Sequence, residues 1–179
     1  MAAPVVWEDI SMANLLTLEI LSGYPRPVIN IGEDITCLID SGSDTPVWTQ
    51  GADRLLDSFA VEKVEGKKFF LSGFGTGHEI VDVYTIHDII LESPSEEGIQ
   101  GDRIVFKNMT VACTLRPSMV ADLILPATAF SHMNYTIRNL DVESPRVEIE
   151  HKKEEYYVNP IYNNTDSRFV ERVYSFVSE

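Results

Sequence analysis

Cysteines, basic side chains and long apolar runs are all scarce in this chain, and each scarcity removes a class of function. Two cysteines in 179 residues are too few for a disulfide scaffold. Cys37 and Cys113 both lie in apolar runs, where a free cysteine behaves as a small buried hydrophobe, and nothing points to an oxidising compartment. A bridge between them stays open on sequence grounds. Lys and Arg number 14 against 28 Asp and Glu, for a formal net charge of −14. Phosphate contacts need clustered cations, so no nucleic-acid surface and no electrostatic attachment to a membrane are expected. The acidity itself serves solubility. No apolar stretch approaches membrane-spanning length, and residues 1–10 lack the basic region and apolar core of a secretory signal. A cytoplasmic location is the resulting expectation. His78, His87, His132 and His151 are scattered without metal-type spacing, and no Gly-x-Ser-x-Gly elbow occurs. The sequence therefore implies no metal and no cofactor.

What remains is enough chain for one core of ordinary size, at 44% hydrophobic and 23% charged residues. Short apolar segments at 15–21, 28–31 and 35–39 predict strands, with Pro25 and Pro27 separating the first two. Leu55, Leu56 and Phe59 at helical spacing predict one short helix over 52–59. Residues 69–71 and 80–86 flank Ser72-Gly73-Phe74-Gly75-Thr76-Gly77, a flexible hairpin tip. A polar loop over 92–101 leads to one long strand or a strand pair at 104–115. An apolar strand at 121–126 precedes a second short helix at 127–133, with Pro126 suited to its first turn. From Asn139 the chain turns charged and irregular, with apolar patches at 156–162 and 169–176. Many short strands, glycine-rich turns and few helices predict an all-β fold closed into a small barrel.

The most informative stretch is Ile35-Thr36-Cys37-Leu38-Ile39-Asp40-Ser41-Gly42-Ser43-Asp44. An apolar strand runs straight into a carboxylate, which is costly unless that group is paired or hydrogen-bonded, so Asp40 asks for a chemical role. Asp-Ser/Thr-Gly alone is weak and arises by chance in about one chain in ten of this length. Its setting is more specific: a second acid at Asp44, apolar Val47 and Trp48 beyond it, and the glycine hairpin downstream. A phosphate cradle at Gly73–Gly77 is disfavoured, because such a loop opens a helix and carries a lysine, whereas this one opens an alternating strand.

In these motifs and their order the chain resembles the retropepsin-like aspartic proteases, and most of all the bacterial retropepsin-like proteins. The resemblance covers about residues 15–140. It implies a catalytic role for Asp40, loop support from Ser41 and Gly42, and substrate alignment by Asp44. Gly73, Phe74, Gly75 and Thr76 would form a flap closing over a bound peptide. One Asp-Ser/Thr-Gly motif supplies one carboxylate, so the resemblance implies a homodimer in which two Asp40 side chains share a proton. Its substrate would be a peptide or protein. The expected organisation is a protease domain over 1–140 and a C-terminal extension over 141–179 packed on or near the dimer interface. One departure stands out: Pro126 occupies the position of a family glycine. The competing expectation is a catalytically inactive dimerisation or peptide-binding module of the same fold.

Overall fold

Alternation of apolar and polar residues sets the architecture. The computed structural model describes residues 14–21, 27–32, 34–40, 43, 45–74, 77–93, 102–117, 121–138 and 143–158. In β1 (Asn14–Glu19) Leu16 and Leu18 are buried while their neighbours face solvent, the period-two pattern of a half-buried strand. β2 (Val28–Asn30) and β3 (Thr36–Asp40) follow, then β4 (Val47–Trp48) and a single α-helix, α1 (Ala52–Ser58). A long hairpin comes next, formed by β5 (Val61–Phe74) and β6 (Gly77–Glu92), and leads to β7 (Arg103–Cys113). β8 (Leu123–Pro126) runs into a 3-10 turn (Ala127–Phe130), and β9 (Asn134–Arg138), β10 (Arg146–His151) and β11 (Glu155–Tyr157) complete the described chain.

These strands form two sheets. The larger has the order β2-β3-β8-β4-β7-β6-β5, with β11 added in parallel on β7. The smaller is antiparallel, in the order β1-β10-β9. One hydrophobic core joins them. Leu16, Leu18, Val147 and Ile149 from the smaller sheet pack with Ile29, Ile39, Trp48, Ile89 and Phe106 from the larger. Full burial of each such side chain contributes roughly 1.5–3 kcal/mol.

The all-β reading holds, and so does the helix at the expected place. Gly51, at φ 83°, precedes the helix and accepts a 2.9 Å bond from Trp48 Nε1. Leu55 is buried, whereas Leu56 is 57% exposed. The second expected helix is only the 3-10 turn. Barrel closure is a correction: among the described residues the larger sheet is an open path whose end strands, β2 and β5, do not pair. β2 has only three residues, and β5 is occupied on one side by β6 alone. Beyond residue 140, β10 lies between β1 and β9 with Val147 and Ile149 fully buried, so this segment supplies the central strand of the smaller sheet. Residues 159–179 lie outside the described residues.

Candidate active site

β3 carries the candidate acid to one end of the larger sheet. Cys37 and Ile39 are buried, while Thr36, Leu38 and Asp40 are half-buried on the opposite face. Side chains alternate along a strand, so Asp40 shares a face with Leu38. Register then assembles that face. Leu38 lies opposite Ile124, Ile124 opposite Val47, Val47 beside Ala112, and Ala112 opposite Val83. These residues pack with Phe69, Leu71 and Val81 of the hairpin into a second apolar cluster, separate from the main core. An apolar floor thus leads from the end of β3 to the β5–β6 hairpin.

The neighbouring row turns the other way. Cys37, Leu123, Trp48 and Cys113 are in register across four strands and belong to the main core. Three strand spacings separate the two cysteines, about 14 Å along the sheet, far beyond the ~7 Å limit for a disulfide. Both thiols are free. Burial pushes the Cys37 thiol well above its ordinary range and that of Cys113 up to about 11, so neither is a ready nucleophile.

At the end of β3, Ser43 N–H donates to the Asp40 carbonyl at 3.1 Å, closing a turn. Ser43 Oγ then donates to the Thr45 carbonyl at 2.9 Å, and Thr45 Oγ1 is buried with no hydrogen-bond partner among the described residues. From there the chain dives between two strands: Ala112 N–H donates to the Pro46 carbonyl and Thr114 N–H to that of Trp48. Asp40 stands in register with Pro126 of the parallel strand β8, so the residue that departs from the family pattern lies directly beside the candidate acid.

Of the expected site residues, Asp40 lies at the end of β3, and Gly73 and Phe74 lie on the last residues of β5. Phe74 pairs with Gly77 at the end of the β5–β6 ladder. Ser41, Gly42, Asp44, Gly75 and Thr76 lie outside the described residues. The hairpin carries its own charge cluster. Lys68 is hydrogen-bonded to Asp82, Lys63 lies 3.4 Å from it, and these cations hold the Asp82 carboxyl below its ordinary range. Tyr84, next on that face, has its phenol pushed up by burial, with Cys113 and Asp82 adding to the effect.

Two polar clusters escape the sequence reading. Asp122, 8% exposed, accepts a 3.0 Å bond from Thr36 N–H, and its own N–H donates to Thr36 Oγ1 at 3.2 Å. Arg54 approaches the same carboxylate at 3.5 Å. His151, 2% exposed, meets Asp102 at 2.6 Å through Nε2 and the Lys153 carbonyl at 2.7 Å through Nδ1. An aspartate interrupting the apolar run at 121–125 is a signal for the first cluster. The second joins residues 49 apart in sequence and has no local signal. His87 and Asp88 face apart as expected, toward Asn108 and Lys107 respectively. No group of three His, Cys, Asp or Glu side chains able to hold a metal occurs among the described residues, and no helix there is long and apolar enough to cross a membrane.

These features define a mostly β protein with an acid at the mouth of an apolar sheet face. Comparison of the chain with protein-family models, curated proteins and solved structures found no match.

Proposed function

We propose that the chain is an aspartic endopeptidase of retropepsin type, hydrolysing peptide bonds as a homodimer. The observation that carries this reading is the placement of Asp40. It ends a core strand, on the same face as an apolar row that runs from Leu38 to the glycine-tipped hairpin. Peptide hydrolysis without a metal or a nucleophilic side chain needs a base to activate water and an acid to protonate the leaving nitrogen. Two Asp40 carboxylates related by a two-fold axis supply both roles, because like charges that close cannot both ionise. Ser41 and Gly42 support the loop, Asp44 aligns the substrate backbone, and residues 73–76 close over the peptide. The apolar row fits substrates with apolar side chains near the cut.

Pro126 favours the second reading, an inactive dimerisation or peptide-binding module. It stands beside Asp40 and has no N–H to offer the loop. Incubation of a diverse peptide mixture with wild type and Asp40→Asn separates the two, alongside sedimentation to determine the assembly. Cuts made by a wild-type dimer and lost by about a thousandfold in the variant are expected. A dimer that makes no cuts would replace the enzyme with the binding module, and a monomer would remove both.

A further inference from the structure

The smaller sheet ends on an open edge. β9 pairs with β10 and has no other strand neighbour among the described residues. The direction of its backbone groups follows from the far side of β10. There Ile20 N–H donates to the Pro145 carbonyl at 3.1 Å, one step beyond the pair of Glu19 and Arg146. Hydrogen-bonded and non-bonded pairs alternate along an antiparallel ladder. Val147 and Ile149 therefore bond toward β1, while Arg146, Glu148 and Glu150 bond toward Arg138, Thr136 and Asn134 of β9. The N–H and C=O groups of Tyr135 and Ile137 are left pointing outward, as an unpaired strand edge. Neither residue is closed off: both are half-buried, set between the exposed Asn134, Thr136 and Arg138.

That edge is its own complement. A two-fold axis through Thr136 sets two copies of β9 antiparallel, with Thr136 opposite itself and Tyr135 opposite Ile137 of the partner subunit. Every outward N–H and C=O of Tyr135 and Ile137 then finds a partner. The register also brings threonine against threonine and an aromatic against a β-branched side chain, combinations that favour neighbouring strands. Tyr135 already packs on Phe130, with ring centroids 5.1 Å apart, and Ile137 borders the main core. Charge favours the same edge. The chain carries a formal net charge of −14, which holds copies apart in general. β9 has no carboxylate, and Glu148 beside it is engaged by both Arg138 and Arg146. The opposite edge of the sheet differs. β1 carries Glu19 and no Lys or Arg, and just past it Leu21 N–H donates to the Val28 carbonyl of β2 at 2.8 Å.

We propose that a second copy of this chain docks on β9, joining two smaller sheets edge to edge into one continuous sheet across a two-fold axis at Thr136. The inference rests on the homodimer of the proposed function, whose two-carboxylate site is incomplete in a single copy, and it assigns the surface where the copies meet.

The test is crosslinking of the full chain, read beside sedimentation. Thr136→Cys sets the two introduced thiols on the axis, in a non-hydrogen-bonded pair whose Cα atoms lie about 4.5 Å apart, within disulfide range. Mild oxidation should link this variant into a covalent dimer at least ~tenfold faster than Asn134→Cys or Thr17→Cys. Both control positions are also exposed, but Asn134 lies about 14 Å from its own copy in this register, and Thr17 is on β1. Cys37 and Cys113 are free and buried, so the wild type gives the background. Thr136→Lys, which sets like charges against each other on the axis, should weaken the dimer at least ~tenfold in sedimentation. A wild-type dimer with no preferential linking at Thr136→Cys, or with indifference to Thr136→Lys, would overturn β9 as the interface and leave the homodimer reading standing. Preferential linking and weakening by lysine, with no cuts in the peptide mixture, would uphold the interface and remove the enzyme. A wild-type monomer would overturn both.

Discussion

Two aspartates mark opposite ends of one parallel ladder, and their surroundings differ in kind. Asp122 enters β8 beside Thr36, at the start of β3. Its carboxylate takes a backbone N–H, its own N–H is received by the Thr36 hydroxyl, and Arg54 stands over it. Such an acid is committed to structure: it ties the starts of two parallel strands that share no hairpin. Asp40 leaves β3 at the other end, half-buried and level with Pro126, on the face that carries the second apolar cluster. The first acid shows how a buried carboxylate is made stable. The second ends its strand half-buried on the face of the second apolar cluster, the position that the proposed hydrolysis would require.

That contrast breaks most sharply on activity. Asp40→Asn should remove the proposed cleavage by about a thousandfold while leaving thermal unfolding almost unchanged. Were Asp40 a structural acid like Asp122, the variant would melt instead.

The two rows across the sheet give the next largest effect. Leu123→Ala and Ile124→Ala each remove a buried aliphatic side chain, one from the main core and one from the row beside Asp40. Both should lose ~2–5 kcal/mol in urea unfolding. Only Ile124→Ala should also change which peptides are cut, judged at a temperature where both variants remain folded. Equal shifts in peptide preference would mean that the two faces do not divide structure from recognition.

Asp122→Ala tests the structural end by itself. The Thr36 N–H loses its carboxylate acceptor in a partly buried place and Arg54 loses its partner, while the backbone N–H of residue 122 still donates to the Thr36 hydroxyl, so a stability loss of ~1–3 kcal/mol is expected with cleavage retained in the folded fraction.

The parts of this contrast differ in how far they were legible from sequence. Asp40 was visible because the cue is local: an apolar strand followed at once by acid, hydroxyl and glycine. The helix at Ala52–Ser58 was visible through its spacing, although the exposure of Leu56 shows that the helix presents only a narrow stripe inward. The extent of the hairpin was not. β5 carries Glu62, Lys63, Glu65, Lys67 and Lys68 through a bulged stretch with Gly66 at φ 73°, and those residues look like a loop until the partner strand is known. β10 was hidden by its charges. In Arg-Val-Glu-Ile-Glu-His the inward set is Val147, Ile149 and His151, an alternation that a buried histidine completes rather than breaks. Its partner Asp102 comes from the far side of the chain, so only the folded arrangement could reveal the pair.

A third acid on the hairpin provides the smallest effect and a calibration for the other two. Asp82 is partly exposed and held below its ordinary range first by its hydrogen bond to Lys68, with Lys63 adding charge. A carboxyl depressed in the folded state stabilises the protein above its unfolded value, near 3.9, and that contribution fades as pH falls through the folded value. Lys68→Ala should therefore lower stability at neutral pH by only ~0.2–1 kcal/mol, as exposed ion pairs do. The wild-type and variant unfolding curves should converge as acidification takes the pH below the unfolded value and on through the lower folded one. Added salt should narrow the gap at neutral pH, whereas the loss in Asp122→Ala, which rests chiefly on a part-buried hydrogen bond from the Thr36 N–H, should persist. A gap at Lys68 that widened on acidification would mean that the lysine supports the hairpin by packing its stem rather than by pairing its charge.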